Sequence, residues 1–288
     1  MKYALYLGCT IPARISQYDA SARAVCGRLG IELVDIRDFN CCGYPMKNYD
    51  YRSYLLSSAR NIALAGKQGL DIITLCMCCY GSLKMAQHAI MEDTTYKNEI
   101  DAFLEKEQLG INGKIQIKHL LSVLYHEVGI DKIKESVTRP YRGMKIAAHY
   151  GCHALRPHEI VEFDDPYDPK IFDSLVEATG AESVSWQMRL DCCGAPLLGS
   201  NDELSVTILN KKLDDGIRSG AHYLCAACPY CQLQFDWVQN MLVSQKKVER
   251  SLASILYTQL LGLSMGIPAA EIHLDANELD ISGVVAFI

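Results

Sequence analysis

The strongest constraint on this 288-residue chain is a cysteine pattern that occurs twice. Cys9, the pair Cys41 and Cys42 followed by Gly43, and the C-x-x-C of Cys76 and Cys79 form the first copy. Cys152, the pair Cys192 and Cys193 followed by Gly194, and the C-x-x-C of Cys228 and Cys231 form the second. Ten of the 13 cysteines fall into these copies. Each copy brings five thiols, one more than a tetrahedral zinc ion takes. Two equal sets imply two equal sites. Five soft ligands per site point to a multi-iron cluster, and so to electron transfer or redox catalysis. Adjacent cysteines strain to reach one small ion, whereas a larger cluster can use both. Two other readings compete. Structural zinc could use the C-x-x-C units, but it leaves Cys9, Cys152 and the vicinal pairs without a role. Inert buried thiols would not recur with matching partners.

The thiols fall at regular places. Lys2–Leu7 and Met144–Tyr150 are apolar runs that end in Gly-Cys, as buried strands ending at a functional loop would. Second strands are expected over Ile31–Ile36 and Glu182–Trp186, ahead of each Cys-Cys-Gly. Helices follow over Tyr51–Lys67 and Asp202–Ser219, ending near Gly69 and Gly220. Third strands, Asp71–Leu75 and His222–Leu224, run into each C-x-x-C. This β-α-β-α order favours parallel sheets covered by helices, with ligands at the strand C-terminal edges. Met91–Gly129 reads as amphipathic helix with a short strand at Lys114–Ile117. Asp131–Arg142 reads as a charged linker. Beyond Cys231 a helix is expected to about Gln245 and another over Ser251–Met265, then a short strand and arm over Ile272–Ile288. Two domains follow, 1–130 and 143–288, as tandem copies of an α/β unit.

A net charge of −6 with no basic-aromatic stretch argues against nucleic acid as a partner. No apolar run reaches the ~18 residues of a membrane span. The start MKYALYLGCT lacks the features of a secretory signal, so a cytoplasmic location is expected, where cysteine-rich chains bind metal or do redox chemistry. No G-x-G-x-x-G loop or ordinary ferredoxin motif is present, so electrons must come from another polypeptide. Cys78 and Cys225 are extra thiols beside the C-x-x-C units, and Cys26 lies on a helical pattern as core. His153 follows Cys152 and is the candidate proton donor to a nascent thiolate. His149 reads as core. Lys47 and Arg156 read as solvated charges, with contact to an anionic substrate as the alternative. Gly8, Gly43, Gly151 and Gly194 serve the loop backbone.

The doubled pattern is joined by Tyr6-Leu-Gly-Cys9, Gly151-Cys-His-Ala-Leu-Arg-Pro157, Cys228-Pro-Tyr-Cys231 and Thr258-Gln-Leu-Leu-Gly-Leu263. Over essentially its whole length the chain resembles the cysteine-rich CCG-domain proteins, and in particular the B-type subunit of heterodisulfide reductase. The same domain occurs in subunits of fumarate, glycolate and lactate oxidoreductases. The resemblance implies two tandem CCG domains, each a small, mostly parallel sheet with helices, related by pseudo-twofold symmetry. It implies two noncubane 4Fe–4S clusters. One would be held by Cys9, Cys41, Cys42, Cys76 and Cys79, the other by Cys152, Cys192, Cys193, Cys228 and Cys231. It also implies the chemistry: a disulfide lies between the clusters, each takes one sulfur, and two electrons and two protons release two thiols. In methanogens that substrate is the coenzyme M–coenzyme B heterodisulfide. The implied partners are a ferredoxin-like subunit of the C type and a flavin subunit of the A type. The alternative is a non-catalytic iron–sulfur conduit within a larger oxidoreductase complex.

Overall fold

The computed structural model describes residues 1–111, 114–248 and 250–288. Two four-stranded sheets, all parallel, form two copies of one α/β unit. In the first sheet β1 (Lys2–Tyr6), β2 (Glu32–Asp35), β3 (Ile72–Thr74) and β4 (Ile117–His119) lie in the order β2-β1-β3-β4. In the second, β5 (Lys145–His149), β6 (Glu182–Ser183), β7 (Tyr223–Ala226) and β8 (Ser254–Leu256) lie in the order β6-β5-β7-β8. The central strands are apolar on both faces. Ala4, Tyr6, Ile72, Ile73, Ile146, Ala147 and Leu224 are all buried, as helices on both sides of a parallel sheet require.

Each order reverses direction after its first strand. The cleft beyond the strand ends there is where open α/β sheets hold ligands. Cys9 follows β1 and Cys76 follows β3, and Cys152 and Cys228 follow β5 and β7 in the same way. Sequence and fold therefore place both thiol sets at the switch points of their sheets.

The halves meet through reciprocal contacts, as pseudo-twofold symmetry demands. Helix Tyr257–Ser264 of the second half packs on Ser16–Arg28 of the first, and helix Leu120–Val123 packs on Ile171–Glu177. Helix Thr10–Arg14 meets Pro229–Leu233, as Met77–Glu92 meets His158–Val161. Hydrogen bonds tie these contacts together: Ser21 and Thr258 hydroxyls lie 2.6 Å apart, and the Tyr80 hydroxyl donates to the Val161 carbonyl.

Several expected elements differ. The run Ser251–Met265 is not one helix: Ser254–Leu256 is β8, and the helix starts at Tyr257. The free edge of β7 recruits the apolar run, and pairing Leu224 with Ser254 overrides its helical pattern. The fourth strand of the first half lies at Ile117–His119, beyond the expected Lys114–Ile117, because β3 pairs there. The stretch Met91–Gly129 includes Asn112 and Gly113, which lie outside the described residues. β6 stops at Ser183, since Trp186 turns inward and donates its indole N–H to the Ala148 carbonyl at 3.0 Å. The expected linker contains a helix, Ile130–Ser136, and the chain after it is fastened to the second half by Thr138 and Arg139 N–H bonds to the Ser264 carbonyl. The tail forms no strand; buried Ile281 and Val284, three residues apart, dock a short turn of helix. Among the described residues no helix is long and apolar enough to cross a membrane.

Candidate metal centre

Each Cys-Cys-Gly turns on a glycine in the left-handed region, with φ of 80° at Gly43 and 88° at Gly194. A Cβ at Gly43 would stand 3.0 Å from the Tyr54 backbone, so the loop lies directly on the helix that follows. That helix, Tyr51–Lys67, starts with Asp50 accepting the Ser53 N–H at 3.1 Å. It then clamps the loop. Ser57 and Ser58 hydroxyls donate to the Cys41 and Cys42 carbonyls at 2.7 and 2.6 Å. In the second half Ser205 donates to the Gly194 carbonyl at 3.0 Å.

All ten thiols of the pattern come together at the two strand edges. In the first half Cys41 Sγ lies 3.8 Å from Cys9 Sγ, Cys42 contacts both Cys41 and Cys79, and Cys79 N–H donates to Cys76 Sγ at 3.3 Å. In the second, Cys192 contacts Cys152 and Cys193, and Cys231 contacts Cys193 and Cys228. The two sets touch. Cys76, Cys78 and Cys228 have sulfurs within 4.8 Å of one another. Cys78, an extra thiol by spacing, thus stands where the halves join.

Thiols packed this way cannot all keep ordinary acidity. Cys42 is held well below the usual thiol range because Cys41 and Cys79 donate to it, and Cys192 is lowered by Cys152 and Cys193 in the same manner. Burial pushes Cys228 up, but donation from Cys231, Cys76 and Cys78 outweighs it and leaves that thiol well below its usual value. Cys79 and Cys152 move up, since their protons are held by Cys42 and Cys192. Cys42, Cys192 and Cys228 are thus the thiols biased toward the thiolate, the form that binds metal.

The residues fit a polynuclear soft-metal centre. Gly8, with φ of 67°, lies so close to the first set that a Cβ there would stand 2.9 Å from Cys79 Sγ. Gly151, φ 72°, passes 3.8 Å from Cys231 Sγ by the same measure. Backbone without side chain beside a thiol set leaves room for inorganic atoms.

His153 lies between the halves. Its Nδ1 is 3.2 Å from Cys78 Sγ and 3.4 Å from Cys152 Sγ. Burial lowers its pKa, so the neutral ring is favoured. Its ring meets Tyr44 edge-on at 5.1 Å, and Gly81 lets the first half approach it: a Cβ there would stand 2.9 Å from the His153 carbonyl oxygen. A narrow slot opens here, bounded by Met77, Cys78, His153, Pro196 and Tyr230 together with the second thiol set. Lys47 is half-buried with its ammonium 3.5 Å from Met85 Sδ, and its charge reaches His153. Arg156 is exposed and only grazes the Leu190 carbonyl. His149 is buried, as a core reading has it, and Cys225 lies in β7 opposite Ala148 and Ile255, apart from the thiol contacts. Cys26 is buried in its helix, its thiol pushed up to about 12 by burial.

Sequence reasoning missed His119. It sits at the end of β4, accepts the Leu121 N–H on Nδ1 at 3.2 Å and donates from Nε2 to the Ala227 carbonyl at 3.1 Å. The neutral ring therefore pins the residue before Cys228 to the first half. The only available signal was a histidine at a strand end.

Residues 3–84 and 146–236 match the cysteine-rich CCG domain. The chain is 34% identical to the B-type subunit of ferredoxin:CoB-CoM heterodisulfide reductase from Methanosarcina mazei over 281 residues, 96% of this chain and 93% of that one. It is 31% identical to the 8-methylmenaquinol:fumarate reductase membrane anchor subunit of Wolinella succinogenes over 280 residues, 97% of each. A crystal structure of a hypothetical protein from Helicobacter pylori superposes with a TM-score of 0.77 at 18% identity, covering 98% of this chain. The chain spans 52% of that protein, and the likeness is one of fold. Two domain copies, and similarity across nearly the full length to a B-type subunit of heterodisulfide reductase, place the chain in the cysteine-rich CCG-domain family.

Proposed function

We propose that this chain is the catalytic subunit of a heterodisulfide-reductase-like complex, reducing a disulfide to two thiols or running the reverse. Cys9, Cys41, Cys42, Cys76 and Cys79 would hold one noncubane 4Fe–4S cluster, and Cys152, Cys192, Cys193, Cys228 and Cys231 the other, in domains 1–130 and 143–288. When bound, the clusters supply electrons and iron sites with affinity for sulfur. The observation that carries the reading is the meeting of both thiol sets at Cys76, Cys78 and Cys228, beside a slot that also holds His153. A disulfide has two sulfurs, and this junction has two sulfur-binding edges.

The net reaction, R–S–S–R′ + 2e⁻ + 2H⁺ → R–SH + R′–SH, breaks one bond and needs a proton for each sulfur. His153 Nδ1, within 3.4 Å of two thiols at the slot, is placed to pass a proton there. Tyr230 lines the slot, and Tyr44, 6.2 Å from it, packs behind against the His153 ring. Met77 and Pro196 give it an apolar lining, and its volume of about 10 Å³ is that of a single water, so a disulfide enters only if the junction opens. The chain has no flavin or nicotinamide motif, so a ferredoxin-like subunit, fed by a flavin subunit, would deliver electrons in the cytoplasm.

The conduit reading draws on a different observation: one relative is named as a subunit of a fumarate reductase. The proton-bearing group and slot at the junction favour catalysis, since a conduit needs neither. The test is anaerobic preparation followed by iron and sulfide analysis and a disulfide assay with a reduced one-electron donor. Two clusters and turnover are expected. Stoichiometric zinc without sulfide would end the reading, and clusters without turnover would transfer the case to the conduit.

A further inference from the structure

The two halves share a topology but not a charge. Tyr6 ends β1 and His149 ends β5; Asn61 and Lys212 occupy the same position in the equivalent helices Tyr51–Lys67 and Asp202–Arg218. In the first half this buried pair is neutral and satisfied. Tyr6 donates to the Asn40 carbonyl at 2.7 Å, and the Asn61 amide donates to the Asn40, Cys41 and Ser57 carbonyls at 3.2, 3.3 and 3.0 Å.

In the second half the pair is ionisable. Lys212 has 0% exposure, yet among the described residues no carboxylate bonds its ammonium. It donates to the Met188 carbonyl and lies 5.3 Å from the centre of the Trp186 ring. His149 packs edge-on against Phe235 at 4.9 Å, and among the described residues neither ring nitrogen has a partner. A Cβ on Gly151 would stand 3.4 Å from His149 Nε2 and 3.8 Å from Cys231 Sγ, so imidazole and thiol border the same glycine. The charges that bear on Lys212 are those of Cys231, Asp191, Cys193 and Cys192. Burial pulls its pKa down, and these anions oppose that. A carbonyl and an aromatic face are the partners that hold an ammonium in such a place.

A buried cation costs free energy; here the thiols of the second set bear on it, while the equivalent position in the first half, which bonds the Cys41 carbonyl, is the neutral Asn61. In a medium of low dielectric it favours whatever adds negative charge nearby. We propose that Lys212 is a positioning residue that raises the reduction potential of the Cys152–Cys231 centre above that of the Cys9–Cys79 centre, so that the duplicated molecule is electrically one-sided. This rests on the two-cluster reading. The step is a one-electron reduction of the second centre by an iron–sulfur donor; no bond breaks, and Lys212 keeps its proton. His149, whose ring borders Gly151 beside Cys231, lies on the same side.

The experiment is a redox titration of the anaerobic holoprotein followed by electron paramagnetic resonance, with the second centre's signal assigned by its loss in Cys193→Ala. Iron and sulfide are measured first; their absence in the unaltered protein would refute the cluster reading, a failure distinct from the outcomes below. The second centre should reduce before the first. Lys212→Met should lower its reduced-to-oxidised ratio at a fixed potential at least tenfold, which is 59 mV for one electron. The first centre should not move, and Lys212→Arg should keep the unaltered order. Unchanged potentials, or equal shifts of both centres, would overturn the proposal. If Lys212→Met sheds the second cluster, Lys212→Gln, which retains a donor for the Met188 carbonyl, replaces it. Loss of the cluster in that variant too would assign Lys212 to folding and would equally overturn the proposal.

Discussion

At the scale of single residues the site depends as much on missing side chains as on thiols. Gly8 brings backbone against Cys79, in a left-handed conformation that costs other residues roughly 1–2 kcal/mol. Gly8→Ala adds that strain to a 2.9 Å contact with the sulfur. Iron and sulfide should fall to about half while far-ultraviolet circular dichroism stays near the unaltered spectrum; full metal content would show that the close approach is unimportant. The vicinal pairs carry a second prediction. Cys193→Ala should remove or convert one cluster, and Cys26→Ala, in the core of its helix, should leave both. An unaltered spectrum for Cys193→Ala would deny the pair its ligand role. The recurring thiols were legible in the sequence because repetition with fixed partners has few other causes. The place of Cys78 was not, since its neighbour Cys228 is 150 residues away along the chain and the two meet only when the halves dock. Lys212 was unreadable for a similar reason: its environment is made by Met188 and Trp186 from other elements.

At the scale of elements, strand ends set the thiols and helices lock them. The parallel order was legible from apolar runs ending in Gly-Cys, and helix Tyr51–Lys67 from its pattern and closing Gly69. β8 was hidden because Ser254–Leu256 is apolar enough for either helix or strand, and the open edge of β7 decides. Helix Asp202–Arg218, which carries Lys212 and Ser205, begins with Asn201 accepting the Leu204 N–H at 3.0 Å. Asn201→Ala should cost about 1 kcal/mol of stability in a denaturant titration, without altering cluster content. His119 ties β4 to the other half and makes a pH prediction. Burial lowers its pKa from 6.5 to about 4, so the unfolded chain binds the extra proton first. Its contribution is full above about pH 6.5 and is lost as pH falls toward 4, by up to about 3 kcal/mol. Denaturant midpoints of the unaltered protein should fall across that window, and His119→Gln should flatten the fall. An equal slope in both would show that His119 does not carry the pH dependence.

At the scale of the whole molecule, duplication places two equivalent edges face to face. Reciprocal packing of Tyr257–Ser264 on Ser16–Arg28 and of Leu120–Val123 on Ile171–Glu177 holds them there. The duplication was legible; the direct contact of the two sets at Cys76 and Cys228 was not, because no spacing rule fixes how two domains dock. That contact makes the proposed chemistry a joint act. If each sulfur of a disulfide needs its own centre, losing one centre strands a sulfur without iron, and residues that act as a unit give strongly non-additive effects. A loss of only 1.4 kcal/mol in the barrier already slows a reaction about tenfold. The most direct test is the disulfide reduction rate of two variants, Cys42→Ala for the first centre and Cys193→Ala for the second. Each is assayed anaerobically with a reduced one-electron donor after its remaining cluster has been verified. Both rates should fall at least tenfold. A rate near half of the unaltered value in either variant would contradict joint action, since each centre would then work alone.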